Sequence, residues 1–333
     1  MLRLEPFAFA KPQTTEEALA LLARHGAKAK LIAGGTDLLP NLKHGLYEPE
    51  VVIALSDLAE LRGIAKNGAG ELEIGAMTTL EAIERDPLVR ARAPGLAQAA
   101  AAVAGPTQRT MGTLGGNVCL DTRCVWINQS HFWRQSLGFC LKKDGTVCHV
   151  VKGGKSCVAA ASNDTATMLV ALRARLTVRS AATTREVAIA EFYKADGVMN
   201  LRLAPDELLT RITVPAPARD GTWSGYAKLR PRASIDFPRL SVAAAWTTQA
   251  DGTFADATVV VSAIAATPRL IAGIGELLRG RRPDDLAALL AAGEKARSVV
   301  TPLTNIDGDP QWRRAMVPVF VKRAFLAGTR GGA

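Results

Sequence analysis

The chain has 333 residues, 48% of them hydrophobic, so it is long enough to bury a sizeable core and to form two or three domains. Its 41 Lys and Arg residues exceed its 31 Asp and Glu residues, but the basic residues are dispersed and aromatic residues make up only 5%, so nucleic-acid binding is not expected. No apolar run approaches the roughly 18 residues of a membrane span, and the N-terminus lacks the apolar run of a signal peptide, so we expect a cytoplasmic protein without membrane contact.

The N-terminal half is predicted to alternate helices and strands. Thr14 stands before an acidic first turn, as at a capped helix start, and a strand over 28–33 then enters a turn formed by Gly34 and Gly35. Because glycines let the backbone approach an anion closely, this turn is a candidate pyrophosphate cradle, although a purely structural turn fits the same residues. The other elements predicted in this half are strands at 51–55 and 72–76 and helices beginning at Thr79 and spanning 95–104.

The C-terminal half is predicted to be richer in antiparallel pairing. Pro215 and Pro217, followed by Asp220 and Gly221, mark the predicted domain boundary, and the Asp-Gly pair at 251–252 predicts a hairpin. The predicted elements are a helix over 165–176, strands over 176–179, 185–189, 208–214, 240–247 and 257–263, and helices over 268–278, 283–292 and 312–326.

All the cysteines of the chain lie in one stretch, between residues 119 and 157. In a reducing cytoplasm this clustering indicates metal ligands or redox groups before disulfides. From Cys124 onward the cysteines are separated by 15, 7 and 8 residues, without the tight pairs of zinc knuckles. Four well-separated thiolates suit an iron–sulfur cluster held by an irregular loop, whereas zinc ligation and structural or catalytic thiols remain alternatives. His131 and His149 lie in the same loop and could ligate a metal, although we expect them to be solvent-facing or satisfied. Residues 142–145 are predicted to form a solvated turn, whose positive charge could also favour a reduced cluster.

Two glycine-containing turns carry a family resemblance: AGGTDL at residues 33–38 and TLGGN at residues 113–117, directly before the cysteine loop. Together with YAKLR at 226–230 and DFPRLSV at 236–242, they resemble the FAD-binding flavoprotein subunits of the xanthine dehydrogenase and carbon monoxide dehydrogenase family. The resemblance covers essentially the whole chain. The inserted cysteine loop resembles that of the beta subunits of 4-hydroxybenzoyl-CoA reductases, in which the loop carries an additional 4Fe-4S cluster.

The fold implied by this resemblance is of the α/β (α+β) class. It has a two-part FAD-binding domain over 1–217, of the molybdenum-hydroxylase flavoprotein type, with parts over about 1–56 and 57–217. The cysteine loop is inserted at about 119–160, and a smaller α+β domain with an antiparallel sheet and helices follows over 220–330.

The resemblance also implies the site residues. Lys228 would lie near the flavin ring, where a cation stabilises the reduced, anionic form. The residues implied to bind FAD are Leu31, Ile32, Ala33, Gly34, Gly35, Thr36, Asp37, Leu38, Val103, Thr113, Leu114, Gly115, Gly116, Asn117, Asp164 and Lys228. The implied cluster ligands are Cys124, Cys140, Cys148 and Cys157, and Cys119 would stay free.

The implied function is electron transfer within an oxidoreductase whose substrate chemistry occurs on a partner subunit. The sequence accordingly shows no Ser-His-Asp set, paired-carboxylate signature or HExxH motif. Ferredoxin would supply electrons that pass by the 4Fe-4S cluster and FAD to 2Fe-2S clusters on a small subunit and molybdopterin on a large one, in a dimer of heterotrimers that reduces 4-hydroxybenzoyl-CoA to benzoyl-CoA. The alternatives are an ordinary xanthine or carbon monoxide dehydrogenase-type FAD subunit without the extra cluster, and a zinc-stabilised module without a redox role.

Overall fold

The computed structural model describes residues 2–217 and 222–330, without the side chain of Arg330. Asp220 and Gly221, part of the predicted boundary signal, lie outside the described residues. The described part contains one parallel and two antiparallel sheets, each with its own hydrophobic cluster. Together with the helices that pack on them, these sheets confirm the predicted α/β (α+β) class.

The first unit is a parallel sheet in the order β1-β3-β2, with a helix packed on it. The hydroxyl of Thr14 accepts a hydrogen bond from the Glu17 amide at 3.1 Å, which confirms the predicted capped helix start. The elements are β1 (Ala8–Ala10), α1 (Thr15–His25), β2 (Ala29–Ile32), α2 (Leu38–Lys43) and β3 (Val51–Ala54), with single 3₁₀ turns at Gly26–Lys28 and Ala59–Leu61.

The second unit is an antiparallel sheet in the order β4-β5-β8-β6-β7, covered by a layer of short helices. Thr79 caps α3 by accepting a hydrogen bond from the Ala82 amide at 3.2 Å, where the sequence predicts a helix start. The elements, including the one helix of the cysteine loop, are β4 (Ile64–Lys66), β5 (Leu72–Gly75), α3 (Leu80–Arg85), α4 (Pro87–Arg92), α5 (Pro94–Ala102), α6 (Pro106–Met111), α7 (Leu114–Val118), α8 (His131–Ser136), α9 (Asp164–Ala171), β6 (Arg175–Arg179), β7 (Thr184–Ala188), α10 (Ile189–Phe192) and β8 (Leu208–Val214).

The cysteine loop connects α7 to α9 and is mostly irregular. Its neck is closed by Arg123 and Ala160, whose amides and carbonyls exchange two hydrogen bonds of 2.8 Å. Its α8 is fastened to the first unit by Arg134, which donates to the carbonyls of His44 and Gly45 at 2.7 and 3.1 Å. Thr122 also donates to the Gly197 carbonyl of the second unit at 2.6 Å, and the Val125 amide donates to the Asn305 carbonyl of the C-terminal unit at 2.9 Å. The loop is therefore anchored to all three units rather than projecting freely into solvent.

The C-terminal unit is an antiparallel sheet in the order β12-β11-β10-β9 with helices on one face. The predicted hairpin is confirmed, since β10 pairs with β11. The predicted single helices over 268–278 and 312–326 are wrong, because residues 269 and 270 pair with β11 as an edge strand and Pro318 lies in the first turn of a new helix. The elements are β9 (Thr222–Leu229), β10 (Leu240–Thr248), β11 (Phe254–Ser262), β12 (Arg269–Leu270), α11 (Ile274–Leu278), α12 (Leu286–Val299), α13 (Pro310–Ala315) and α14 (Val317–Arg330).

Helix α5 joins the C-terminal unit to the second unit through small residues. A Cβ atom added to Gly95 would lie 2.6 Å from the sulfur of Met168 and 2.9 Å from the Gly225 amide nitrogen, so the helix backbone lies directly against β9. The alanine-rich run that contains α5 is buried, as its sequence predicts. This packing fixes Val103, which directly follows α5, next to the β9 residues considered below.

Candidate cofactor sites

A cleft of about 330 Å³ lies between the first and second units. The turn that follows β2 forms one wall, and the start of α7 forms the other, so the structure brings together two turns that are distant in sequence. The predicted FAD-binding residues that line this cleft are Leu31, Ala33, Gly34, Gly35, Thr36, Asp37, Leu38, Val103, Thr113, Gly115, Gly116 and Asn117.

Glycines allow the two turns to meet. A Cβ atom on Gly34 would lie 1.8 Å from the carbonyl oxygen of Met111, so no larger residue fits without moving one backbone away from the other. Gly35 has a φ of +71°, in the left-handed region that favours glycine. On the opposite wall, a Cβ atom on Gly115 would lie 2.8 Å from the Ala76 methyl. Gly34 and Gly115, one from each motif, therefore allow close backbone approach.

Two of the predicted FAD-binding residues adjacent to these turns do not line the cleft. Leu114 is fully buried in the core of the second unit, and Ile32 alternates with the cleft-lining Leu31 along β2. Asn117 does line the cleft, but its side-chain oxygen also accepts hydrogen bonds from the amide and hydroxyl of Thr165 at 3.0 and 2.6 Å. It thereby ties α7 to α9 and orients the cleft wall.

Asp164 and Lys228, also predicted to bind FAD, do not line the cleft either. Their side chains are 4% and 3% exposed and form an ion pair of 2.9 Å, and Tyr226 donates a further hydrogen bond to Asp164. Lys228 also donates to the carbonyl of Ala102 at 2.9 Å, directly before the cleft residue Val103. Burial raises the pKa of Asp164, an effect that the neighbouring Lys228 opposes. In this structure the pair supports the cleft wall from behind.

We expect Lys228→Met to lower the free energy of unfolding by about 3–5 kcal/mol, because it leaves the Asp164 carboxylate buried without its counter-charge. The double variant Lys228→Met with Asp164→Asn should recover most of this loss, since no buried charge then remains. Urea unfolding followed by circular dichroism measures both. A double variant less stable than Lys228→Met would contradict this account of the pair.

Several cleft-lining residues were not predicted to bind FAD, although Phe237 lies in the DFPRLSV motif and Cys119 lies among the clustered cysteines. Tyr47 follows α2, Phe237 comes from the C-terminal unit, and Cys119 and Asp121 come from the first residues of the cysteine loop. Burial raises the pKa of the Cys119 thiol to about 12, so this thiol is protonated at neutral pH. The cleft thus draws on all parts of the described chain.

The cysteine loop folds around a second, much smaller cavity of about 20 Å³. Its walls include Cys124, Cys140, Cys148 and Cys157, whereas Cys119 does not line it. Burial raises the pKa of Cys124 to about 11 and also raises that of Cys157. Among the described residues, no group of three or more His, Cys, Asp or Glu side chains is arranged to hold a metal ion at one point. The four thiols therefore line one cavity without converging on a single point.

The environment of one polar side chain of this loop was predicted correctly from the sequence, and that of another was not. His149 is satisfied, as predicted: its Nε2 atom lies 2.7 Å from the Phe139 carbonyl oxygen. The prediction of a solvated turn over residues 142–145 is wrong for Lys142, whose side chain is 9% exposed. Its ammonium donates to Asp121 at 2.8 Å and to the Thr122 hydroxyl at 2.7 Å, and this buried pairing explains the difference.

Two known protein families match the chain, one over each part. The FAD binding domain in molybdopterin dehydrogenase matches residues 5–217, which include every residue of both turns and the whole cysteine loop. The chain belongs to this flavoprotein family. The CO dehydrogenase flavoprotein C-terminal domain matches residues 225–327.

Relatives of this flavoprotein match it over most of their length. The carbon monoxide dehydrogenase medium chain of Hydrogenophaga pseudoflava is 29% identical over 96% of both chains. The aldehyde oxidoreductase FAD-binding subunit PaoB of Escherichia coli is 34% identical over 72% of this chain and 77% of its own. The solved carbon monoxide dehydrogenase from Hydrogenophaga pseudoflava superimposes with a TM-score of 0.80 at 27% identity, over 99% of both chains.

No helix within residues 2–217 and 222–330 is both long enough and apolar enough to cross a membrane.

Proposed function

We propose that this flavoprotein binds FAD in the cleft between its first two units and a 4Fe-4S cluster in the cysteine cavity. In this proposal it is the electron-transferring subunit of a molybdenum-containing reductase of the 4-hydroxybenzoyl-CoA reductase type. The observation that carries the cluster is the convergence of four widely spaced cysteines on one cavity.

The cleft suits a dinucleotide. Its volume of about 330 Å³ falls in the range of small-molecule sites, and bare glycine backbone forms parts of both walls. Gly34 and Gly116 present no side chain to an incoming pyrophosphate, while apolar residues such as Leu31 and Val103 offer surface to a flavin ring. The FAD-binding roles of the predicted residues are part of this proposal, and Asp164 and Lys228 act in it by supporting Val103.

The cysteine cavity suits an iron–sulfur cluster better than a single zinc ion. A zinc ion draws its ligands to one point at about 2.3 Å, whereas a cubane cluster takes thiolates around a larger body. Cys124, Cys140, Cys148 and Cys157 line one cavity of about 20 Å³, and in the described chain they do not converge on a point that would hold a single ion, which supports the second arrangement. Apolar neighbours such as Ile127 and Ala159 limit access of water to it.

In such a subunit the cluster supplies single-electron transfer, and the flavin links single-electron transfer to two-electron transfer. The protein positions these groups and shields them. Asn117 holds the cleft wall to α9, while Arg134 and Thr122 hold the cysteine loop against the first and second units. This anchoring keeps the cysteine cavity at a fixed position relative to the cleft, as electron transfer between them requires.

The proposed complex includes a large molybdopterin subunit and a small 2Fe-2S subunit, in a dimer of heterotrimers, with ferredoxin as electron donor. The relative from Hydrogenophaga pseudoflava is named as a medium chain, which supports a complex of several different chains. The reductase assignment depends on the resemblance of the cysteine loop. Removal of the phenolic hydroxyl from 4-hydroxybenzoyl-CoA would take place on the large subunit.

The alternative is an ordinary carbon monoxide or xanthine dehydrogenase-type FAD subunit without the extra cluster. The names of several relatives favour it, since they include carbon monoxide dehydrogenase and xanthine dehydrogenase subunits. The four thiols around one cavity favour the subunit with a cluster. Iron content distinguishes the two.

The test is the iron, acid-labile sulfide and FAD content of anaerobically purified protein. About four irons, four sulfides and one FAD per chain are expected. Cys140→Ser should lose most of the iron and retain FAD, because it removes a ligand at the cysteine cavity but leaves the cleft unchanged.

The matched control is Cys119→Ser, which changes the one cysteine outside the cysteine cavity and should keep the full iron content. Wild-type protein with FAD but no iron, even after anaerobic reconstitution with iron and sulfide, would support the ordinary FAD subunit. Full iron in Cys140→Ser would contradict the assignment of that ligand.

A further inference from the structure

A third cavity, of about 150 Å³, lies between the cysteine cavity and the flavin cleft. It shares Ile127 and Lys142 with the cysteine cavity, and Tyr47 and Asp121 with the cleft. The side chains of Lys142, Asp121 and Tyr47 therefore form the partition between the two proposed cofactor sites.

These three side chains are joined by hydrogen bonds. Lys142 donates to one carboxylate oxygen of Asp121 at 2.8 Å, and the hydroxyl of Tyr47 donates to the other at 2.6 Å. Lys142 also donates to the Thr122 hydroxyl and to the carbonyl of Gly197, which saturates its three donors. These bonds hold the three side chains in one arrangement, so the charges of Lys142 and Asp121 keep fixed positions.

The charges of this pair are shielded from water to different degrees. The Lys142 side chain is 9% exposed and that of Asp121 is 27% exposed, so Lys142 interacts with its surroundings through a medium of lower dielectric constant. Other charges nearby are paired separately: Arg123 with Asp37, and Lys143 with Glu48 and Asp144. Lys30 stacks on the Tyr47 ring at 4.6 Å from its centroid, and its charge also interacts with that of Asp121, so Asp121→Asn leaves both lysines less compensated. Lys142 is the ammonium that lines the wall of the cysteine cavity.

We propose that the Lys142–Asp121 pair sets the reduction potential of the group in the cysteine cavity, with Lys142 raising it and Asp121 lowering it. The inference rests on the proposed function, since it requires a cluster at the four thiols. Reduction adds one electron to the cluster, supplied by dithionite through mediators, and neither breaks a bond nor transfers a proton. The added negative charge is stabilised by a nearby cation and destabilised by a nearby carboxylate.

The two single substitutions should therefore shift the potential in opposite directions. Lys142→Met removes the cation and leaves Asp121 uncompensated, so the cluster becomes harder to reduce. Asp121→Asn leaves Lys142 uncompensated, so the cluster becomes easier to reduce. We expect at least a tenfold change in the equilibrium constant for reduction in each case, which corresponds to 59 mV for a one-electron couple. The double variant should lie between the two single variants.

The experiment is a redox titration of purified protein in which the cluster is followed by electron paramagnetic resonance, with iron and FAD content determined for each variant. Lys152→Met is the matched control: it removes the same charge from the cysteine loop at an exposed position, where water and salt screen it. Its potential should stay close to that of the wild type. Lys142→Arg, which keeps the charge, should also stay closer to the wild type than Lys142→Met.

The outcomes separate the inference from the proposed function. Absence of a cluster in the wild type after anaerobic reconstitution would overturn the proposed function and, with it, the inference. A cluster whose potential is unchanged in Asp121→Asn, or shifts in the same direction in both single variants, would overturn the inference alone. If Lys142→Met fails to hold iron, the potentials of Asp121→Asn and of the double variant test the inference. A purely structural role for the pair predicts no rise in the potential of Asp121→Asn.

Discussion

Replacing Gly34 by alanine is expected to weaken the binding of FAD. The new methyl group would lie 1.8 Å from the carbonyl oxygen of Met111 and 2.4 Å from its carbon. These are backbone atoms that cannot rotate away, so the two turns that form the cleft must separate. Overpacking of this kind costs about 1–3 kcal/mol, which corresponds to a roughly 5- to 150-fold loss of FAD affinity if the cleft opens to relieve it.

Flavin absorbance of the purified variant and titration of the apoprotein with FAD measure this effect. Gly68→Ala is the matched control, because a Cβ atom at Gly68 meets no atom within 4 Å. It should bind FAD like the wild type. Circular dichroism distinguishes an opened cleft from an unfolded chain. Gly34→Ala with wild-type FAD affinity would show that the contact between the two turns does not shape the binding site.

Replacing Gly197 by alanine is expected to remove iron while FAD is retained. A Cβ atom there would lie 2.6 Å from the sulfur of Cys157 and 2.8 Å from the amide nitrogen of Ala159. The Gly197 amide also donates to the Cys157 carbonyl at 3.0 Å, so this segment lies directly against one proposed ligand. The methyl group would displace the Cys157 thiol, and a cluster that loses one of four ligands becomes labile.

Iron, sulfide and FAD analysis of Gly197→Ala beside Gly68→Ala measures this effect. Because Gly197 does not line the cleft, the FAD content of Gly197→Ala should match that of Gly68→Ala. The comparison with Cys140→Ser is informative, since one variant removes a ligand atom and the other only moves one. A Gly197→Ala protein with full iron would mean that the Cys157 sulfur does not need its present position.

Both sites depend on contacts between segments that are far apart in the chain. Gly34 lies directly against Met111, and Gly197 lies directly against Cys157. No local sequence motif predicts either contact. The Lys142–Asp121 pair belongs to the same class, because the sequence around Lys142 is typical of an exposed turn while the structure pairs it inside the protein. Side-chain partners of this kind depend on how the cysteine loop is anchored.

Local sequence signals predicted the fold elements well where periodicity and caps agree. The capped starts at Thr14 and Thr79, the strand β8 and the β10–β11 hairpin are present in the structure, because hydrogen bonds and alternation within a short segment determine them. Short edge strands were missed, among them β1 and β4 with three residues each. Their pairing depends on a neighbouring strand that the local sequence does not specify.

The sequence by itself determined which residue types were available for each cofactor: glycine turns for a dinucleotide and confined, widely spaced cysteines for a cluster. Only the tertiary structure decided which of them face a common space. It placed Leu114 in the core, buried Asp164 and Lys228 behind the cleft wall, and surrounded one cavity with four cysteines while leaving Cys119 at the other. The physical reason is that packing between distant segments decides which residues face a cavity and which are buried. Composition and turn chemistry, by contrast, are properties of the local chain.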